Sequence, residues 1–555
     1  MEKVWLKNYP PDVPSEINPD HYHSLVELFE ESFTKYKEKI AFVNMGQAIS
    51  YGDLDRDSKK FAAFLQTELK LVQGEKLALM MPNVLQYPIC LIGALRAGLT
   101  VVNVNPLYTE RELSFQLSNA TASTIVVLAN FAHMVQKVLD KTLIKHIIVT
   151  QLGDMMSTPK AMLINGVVKY IKHMVPDWNI KNAYYFRTIM RSPKNNIFTR
   201  PVINPQDIAF LQYTGGTTGR SKGAMLTHRN MVANLEQSAA WIAHTLEEGT
   251  SIVITALPLY HIYSLTVNCL TFMKIGAKNI LITNPKDIAG FVKTLEGIPF
   301  TMITGVNTLF NALLQHPKFK KLDFSKLVFG LGGGMAIHKA VAERWKAVTK
   351  VPLLEGYGLT ECSPAVCMNP LNLKEYSGNI GFPLPSTEVS IRDENDIELK
   401  FNMPGELCIR GPQVMAGYWN NIEETKAILT EDGWLLTGDI AIIDELGHVK
   451  IVDRKKDMII ISGFNVYPNE IEDIIALMPQ VREVAVVGVP HEILGEQIKA
   501  CIVKSDGALT EKMVLEHCRT LLTGYKIPKI IEFFPSLPKS NIGKILRKEL
   551  KNKSS

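Results

Sequence analysis

Residues 76–105 read KLALMMPNVLQYPICLIGALRAGLTVVNVN, and this stretch decides the class of fold. KLALMM is a short apolar run suited to a buried strand, VLQYPICLIGALRAG is long enough for a helix, and LTVVNVN is a second strand. Strand, helix and strand make one βαβ unit, which requires a parallel sheet. Residues 77–95 carry no charge, but Pro82, Asn83, Gln86 and Pro88 interrupt them, so a membrane span of ~20 apolar residues is not expected.

The same alternation extends both ways. Residues 51–70 place Leu54, Phe61, Leu65 and Leu69 along one helical face. A second unit follows, with strands at 124–128 and 146–150 around a helix at 132–139. Between 200 and 380 further strands are expected near 252–255, 279–283 and 300–304. Residues 250–273 lack Asp, Glu, Lys and Arg, yet Pro258 and His261 divide them into strand and helix. After about residue 385, EVSIRD, GELCIRG and GHVKIVD read as a β-rich subdomain.

The charged run DRKKD (453–457) reads as a hinge between apolar strands. Beyond it, Pro468 opens a helix with Ile471, Ile474, Ile475 and Met478 on one side. The strands VREVAVVGV, IKACIV and IIEFFP follow, with a helix near 511–522 closing at Gly524. The predicted architecture is α/β: a large N-terminal domain (1–452) of α/β subdomains plus the β-rich one, a hinge (453–456), and a small α+β C-terminal domain (457–555).

A chain of 555 residues exceeds a single core. With 46% hydrophobic and 21% charged residues it reads as soluble or peripheral. A net charge of +5 is too mild for a dedicated nucleic-acid binder. The seven cysteines are scattered with no CxxC pair, which fits reduced thiols in a cytosolic protein and excludes a zinc site or disulfide framework. No apolar core of a secretion signal is seen near the N-terminus.

Residues 213–223, YTGGTTGRSKG, are the densest chemical signal. Gly215, Gly216, Gly219 and Gly223 let backbone approach a ligand, Thr214, Thr217, Thr218 and Ser221 add hydroxyls, and Arg220 and Lys222 add charge. Such a loop cradles phosphate. It is not a Walker A loop, because Gly223 follows Lys222. A strand–loop–strand hairpin is expected around it, with DIAFLQY before and AMLTH after.

Weaker clusters accompany the loop. EGYGLTE (355–361) combines an aromatic that can stack a base, Tyr357, with Thr360 and a carboxylate, Glu361, suited to Mg²⁺. LGGGMA (331–336) brings backbone close to something planar, and Asp439 in DGWLLTGDI is placed to accept ribose hydroxyls. Lys544 follows Gly543 in the basic tail PKSNIGKILRKEL. In 159–178, Lys169, Lys172 and His173 can share one side of a helix, and Met162, Val168, Ile171 and Val175 another. The default is a surface helix packed on its own domain; the other reading is a helix lying in a membrane interface.

In order and spacing, YTGGTTGRSKGAMLTH, YGLTE, GELCIRGPQVMAGYW, GWLLTGDI, DRKKDMIIISGFNVYPNEIE and PKSNIGKILR resemble the adenylate-forming (ANL) acyl-CoA synthetases, from about residue 5 to 550. SGFNVYPNEIED, TGYKIPK and VWLKNYPPDVPSEINPD are similar to the bacterial long-chain-fatty-acid–CoA ligases, with Leu436 standing where the fatty-acyl signature usually has histidine.

The resemblance implies ATP, Mg²⁺ and coenzyme A as cofactor and co-substrates, and a long-chain fatty acid as substrate. It implies Tyr213 and the following loop on the β- and γ-phosphates, and Tyr357 with Gly332, Gly333, Gly334 and Gly356 around adenine. Asp439 and Arg454 would meet the ribose, Thr360 the α-phosphate, Glu361 the metal, and Lys544 the reacting carboxylate and α-phosphate. His261, Gly305, Val306 and Asn307 would border the acyl site. Lys456 would be the pivot of a mobile C-terminal domain, and Gly463 would face coenzyme A after rotation. The resemblance also implies a cytoplasmic enzyme touching the inner face of the cell membrane, and a homodimer is compatible with it. Rival readings are a ligase for medium-chain or aryl acids, an acyl-AMP ligase, and a non-catalytic lipid-binding protein.

Overall fold

Strands Lys76–Met80 and Thr100–Asn103 flank the helix Gln86–Arg96 and pair in parallel, Leu77 opposite Val101. Every residue of that helix is buried, as its all-round apolar sequence demands. The computed structural model describes residues 2–193, 197–214, 221–461, 464–491, 494–505, 507–540 and 543–551. Thr124–Leu128 and His146–Thr150 extend the sheet in parallel. Ile208–Thr214 joins its other side in parallel and pairs antiparallel with Lys222–Thr227, giving seven strands among the described residues.

A second, nine-stranded sheet carries six parallel strands in the order Leu353–Gly358, Phe329–Gly332, Met302–Gly305, Ile252–Thr255, Lys278–Leu281 and Ile40–Asn44. Two of these differ slightly from expectation, 279–283 and 300–304 being shifted by one or two residues. The 250–273 segment is the strand Ile252–Thr255 followed by a buried helical stretch, Ser264–Thr271. Among the described residues no helix is long and apolar enough to cross a membrane. All seven cysteines are free and buried.

The β-rich part is a four-stranded antiparallel sheet of Glu388–Arg392, Gly405–Arg410, Leu435–Ile443 and Val449–Arg454. The small C-terminal domain has its own five-stranded sheet and its own core around Ile459, Ile471, Ile475, Val486 and Ile502. Pro468 starts the helix Pro468–Ala476, and Ile471 and Ile475 are its buried side.

The charged run at 453–457 is not wholly exposed: Asp453 is buried, and its carboxylate accepts from the backbone N–H of Asn469 at 2.8 Å and meets Arg547 at 3.2 Å. Lys455 and Lys456 are the exposed members. Residues 159–178 do include a helix, Thr158–Gly166, continued by a wider turn at Val167–Ile171. Contrary to expectation, its apolar side is packed on its own domain only in part: Ala161 is buried, Val168 is half-buried and Val175 lies against the core, while Met162 and Ile171 stand in solvent.

Candidate active site

Ligands bind open parallel sheets beyond the carboxyl ends of the strands. Those ends are where the nine-stranded sheet gathers the sequence-predicted residues. Gly332, Gly333 and Gly334 close Phe329–Gly332, and Gly305, Val306 and Asn307 close Met302–Gly305. Tyr357 lies near the end of Leu353–Gly358, and His261 follows Ile252–Thr255.

The glycines have different reasons to lack a side chain. A Cβ on Gly332 would come within 2.5 Å of Ile337, and one on Gly333 within 3.1 Å of the Tyr263 ring. Gly334 has φ +77° and open space where its Cβ would be. The Tyr263 hydroxyl donates to the Leu331 carbonyl at 3.0 Å, fixing that ring against the ridge. Gly305 is needed for packing, since its Cβ would meet the Phe310 ring at 2.9 Å. Asn307 is buried and accepts from the His338 N–H at 3.0 Å, so its side chain braces the turn before Lys339–Thr349.

Opposite this ridge stands the β-rich sheet. Asp439 and Arg454 are cross-strand partners, with Arg454 Nε 3.6 Å from Asp439 Oδ1. The Tyr357 hydroxyl donates to the other Asp439 oxygen at 2.7 Å. Burial and the Asp439 carboxylate together push the Tyr357 phenol well up, so it stays a donor. Gly438, at φ +70°, supplies the turn that presents Asp439, and its N–H donates to Glu406 at 2.9 Å.

Lys544 enters from the small domain. Its N–H donates to Ser540 Oγ at 3.1 Å, and its carbonyl accepts from the Ser540 N–H at 2.7 Å, closing a tight loop. Gly543, at φ +84°, forms the tip and receives a hydrogen bond from Thr308 Oγ1 at 3.2 Å. Burial, then the Arg454 guanidinium, pushes the Lys544 amine down to about 7, with Asp439 and Asp457 opposing. Burial, then the Lys544 charge, holds His261 down at about 4, so His261 is neutral near pH 7.

The flanks of the 213–223 loop are the expected hairpin, with Tyr213 opposite Gly223 and Thr214 opposite Lys222. Gly215, Gly216, Thr217, Thr218, Gly219 and Arg220, like Gly463, lie outside the described residues. Lys222 forms an ion pair with Glu424 and lies 5.2 Å from the centre of the Tyr418 ring. Tyr418 in turn donates to Glu361 Oε1 at 2.6 Å. Beside this chain a cavity of about 330 Å³ is lined by Asn119, Ser221, Lys222, Trp419 and Glu424. Thr360 and Glu361 share the short turn Thr360–Cys362, so both stand at the same strand end.

Tyr418, Glu424, Tyr263 and Thr308 escaped the sequence reading. Tyr418 sits in the recognisable GYW segment, which pairs with the hairpin through Trp419 N–H to Gly223 O at 2.8 Å. Glu424, Tyr263 and Thr308 gave no local signal, because their partners are distant in the chain.

Lys544, Asp439, Arg454, Tyr357 and His261 are thus brought together, and the flanks of the 213–223 hairpin reach Glu361 through Lys222 and Tyr418. Known proteins have the same arrangement of domains. The model of the AMP-binding enzyme matches residues 29–419, and that of the AMP-binding enzyme C-terminal domain matches 470–544. A long-chain-fatty-acid–CoA ligase of Yersinia pestis is 56% identical over 100% of this chain and 98% of its own length. The ligase of that name from Escherichia coli O157:H7 is 56% identical over 100% and 99%. Among solved structures, ATP-bound MatB from Rhodopseudomonas palustris superposes with a TM-score of 0.82 at 28% identity, covering 95% of this chain and 98% of that one. With a family model spanning most of its length and relatives matched from end to end, the chain belongs to the AMP-binding enzyme family.

Proposed function

We propose that the protein is a long-chain-fatty-acid–CoA ligase that uses ATP and Mg²⁺ to form an acyl-adenylate and then passes the acyl group to coenzyme A. The single observation that carries this reading is Lys544, an amine delivered from the small domain into the ring of Asp439, Arg454 and His261. Full-length relatives of that name support the substrate class.

In the first step a carboxylate oxygen attacks the α-phosphorus, the α–β bond breaks, and pyrophosphate leaves. Lys544 would hold the carboxylate and α-phosphate oxygens together against their mutual repulsion, and Thr360 would donate to the α-phosphate. Tyr213, Thr214, Ser221, Lys222 and Gly223, with the residues between them, would clamp the β- and γ-phosphates. Tyr357, Gly334 and Gly356 would border adenine, and Asp439 with Arg454 the ribose. His261, Gly305, Val306 and Asn307 would border the acyl chain. In the second step the thiol sulfur attacks the acyl carbon, its proton is lost, and AMP leaves.

Glu361 fits a magnesium site in chemistry: Tyr418 takes one oxygen, and Mg²⁺ uses few protein carboxylates beside substrate phosphates. The bound ion would neutralise phosphate charge.

The small domain, bounded at about 453–456 with Lys456 as pivot, would rotate between the steps and bring Gly463 to the coenzyme A channel. A long-chain acid partitions into bilayers, so contact with the inner face of the cell membrane belongs to this reading; homodimerisation is compatible with it. The test is pyrophosphate release with ATP and oleate, with and without coenzyme A. Release and AMP formation that peak with shorter or aryl acids would replace the substrate; adenylate that is never passed to coenzyme A would make it an acyl-AMP ligase.

A further inference from the structure

An exposed apolar surface lies far along the chain from every residue of the site. In the helix Thr158–Gly166 and the turn that continues it, Met162 is 71% exposed, Leu163 66%, Tyr170 69% and Ile171 71%, with Met174 at 52% just beyond. Scattered apolar residues at a surface need no account, but this many within thirteen positions form a patch of the kind that marks a docking face. The segment is held to the large domain by buried Ala161, by Val175 just beyond it, and by polar contacts. Asn165 accepts from the Gly153 N–H at 2.9 Å, Arg191 donates to Thr158 at 3.0 Å, and Asn130 donates to the Met174 carbonyl at 2.9 Å. Its apolar side is therefore left outward by a fixed scaffold.

Charge identifies what covers it. Between residues 155 and 191 there are six cations, Lys160, Lys169, Lys172, Lys181, Arg187 and Arg191, against one acid, Asp177, a local excess of +5. The whole chain carries a net +5, so the remainder is neutral in sum. Lys160, Lys169, Lys172 and His173 are exposed beside the apolar residues, and Tyr184 and Tyr185 are exposed on the strand that follows. Apolar side chains rimmed by lysines and tyrosines match the boundary between acyl chains and anionic headgroups.

We propose that the segment 158–174 is the surface by which this protein sits on an anionic lipid bilayer, with Met162, Leu163, Tyr170 and Ile171 entering the acyl boundary and the lysines facing lipid phosphates. This rests on the membrane contact proposed above and assigns its place. Each basic side chain near such a surface strengthens binding several-fold, an effect that salt screens.

The experiment is co-sedimentation of the full-length protein with vesicles of phosphatidylcholine alone or mixed with phosphatidylglycerol, at low and high salt. The protein is expected on the anionic vesicles, in a salt-sensitive manner. Lys169→Glu with Lys172→Glu should weaken that binding about tenfold or more. Leu163→Ser with Ile171→Ser should weaken binding to the anionic vesicles at high as well as at low salt. Both double variants should keep pyrophosphate release from detergent-dispersed oleate. If the unaltered protein sediments with neither vesicle, membrane contact itself is overturned. If it sediments and both variants do so equally, this surface alone is overturned. A dimer in solution that Leu163→Ser with Ile171→Ser dissolves would give the face to a second copy, and that too would overturn the assignment.

Discussion

Lys544 is an amine kept where its charge is disfavoured. Its value falls from the ordinary 10.5 to about 7 because burial strips water from it and Arg454 repels it. The anionic phosphate of an acyl-adenylate bound beside it would offset both effects and raise it again. Since the ligand-bound amine holds its proton more tightly than the free one, ligand binding takes up protons at pH above about 7. Affinity for the acyl-adenylate should therefore fall as pH rises above about 7, and be level below it. Calorimetry at pH 8 in buffers of different ionisation enthalpy should register uptake approaching one proton, and Lys544→Ala should register almost none; equal values would contradict this role. The same substitution should slow adenylate formation by roughly 10²–10³, the usual cost of losing one charge-stabilising donor. Thioester formation from pre-made acyl-adenylate should persist, measured as AMP release on adding coenzyme A.

At the scale of elements, the ridge Gly332, Gly333, Gly334 separates packing from binding. Gly332→Ala places a methyl 2.5 Å from Ile337, and overpacking of that kind costs about 1–3 kcal/mol. It should lower Tm with little specific change in the KM for ATP. Gly334→Ala meets no protein atom within 4 Å, so beyond the roughly 1–2 kcal/mol of its left-handed backbone it should raise the KM for ATP several-fold. Steady-state kinetics beside thermal melts check the pair, and equal effects of both on KM would end the distinction. These glycines also mark how far the sequence could be read. LGGGMA announced close approach, but only the folded chain assigns Ile337 to one glycine and Tyr263 to the next. Strands such as Thr124–Leu128 were legible because a fully buried parallel strand is a short unbroken apolar run. How far the helix Thr158–Gly166 packs was not legible, because its 3.6-residue spacing is the same whether its apolar side meets protein or solvent. Glu424 and Thr308 were invisible because each meets its partner across some two hundred residues of chain.

At the scale of the molecule, the proposed half-reactions would need one site and two occupants, and the small domain as docked would supply the first of them, Lys544. Arg547 ties the tail to the segment before it, contacting Asp453 at 3.2 Å, Asp457 at 3.4 Å and Glu472 at 2.8 Å. Glu472 and Asp457 belong to the small domain and Asp453 to the hinge, so the Lys544 loop is tied to both, and it touches the large domain at Thr308. A Cβ built on Gly543 would lie 4.0 Å from Thr308 Cβ. Disulfides span Cβ atoms about 3.5–4.5 Å apart, so Thr308→Cys with Gly543→Cys should cross-link the domains as they stand. The cysteine at 543 accepts a left-handed backbone at roughly 1–2 kcal/mol, less than the bridge returns. The seven native cysteines are buried and offer no competing partner. Oxidised, this variant should still release pyrophosphate from ATP and oleate in a single turnover but form no acyl-CoA. Reductant should restore the thioester, as read by AMP release on adding coenzyme A. If the oxidised protein makes acyl-CoA at the reduced rate, coenzyme A reaches the adenylate with Lys544 in place, and the domain does not have to move.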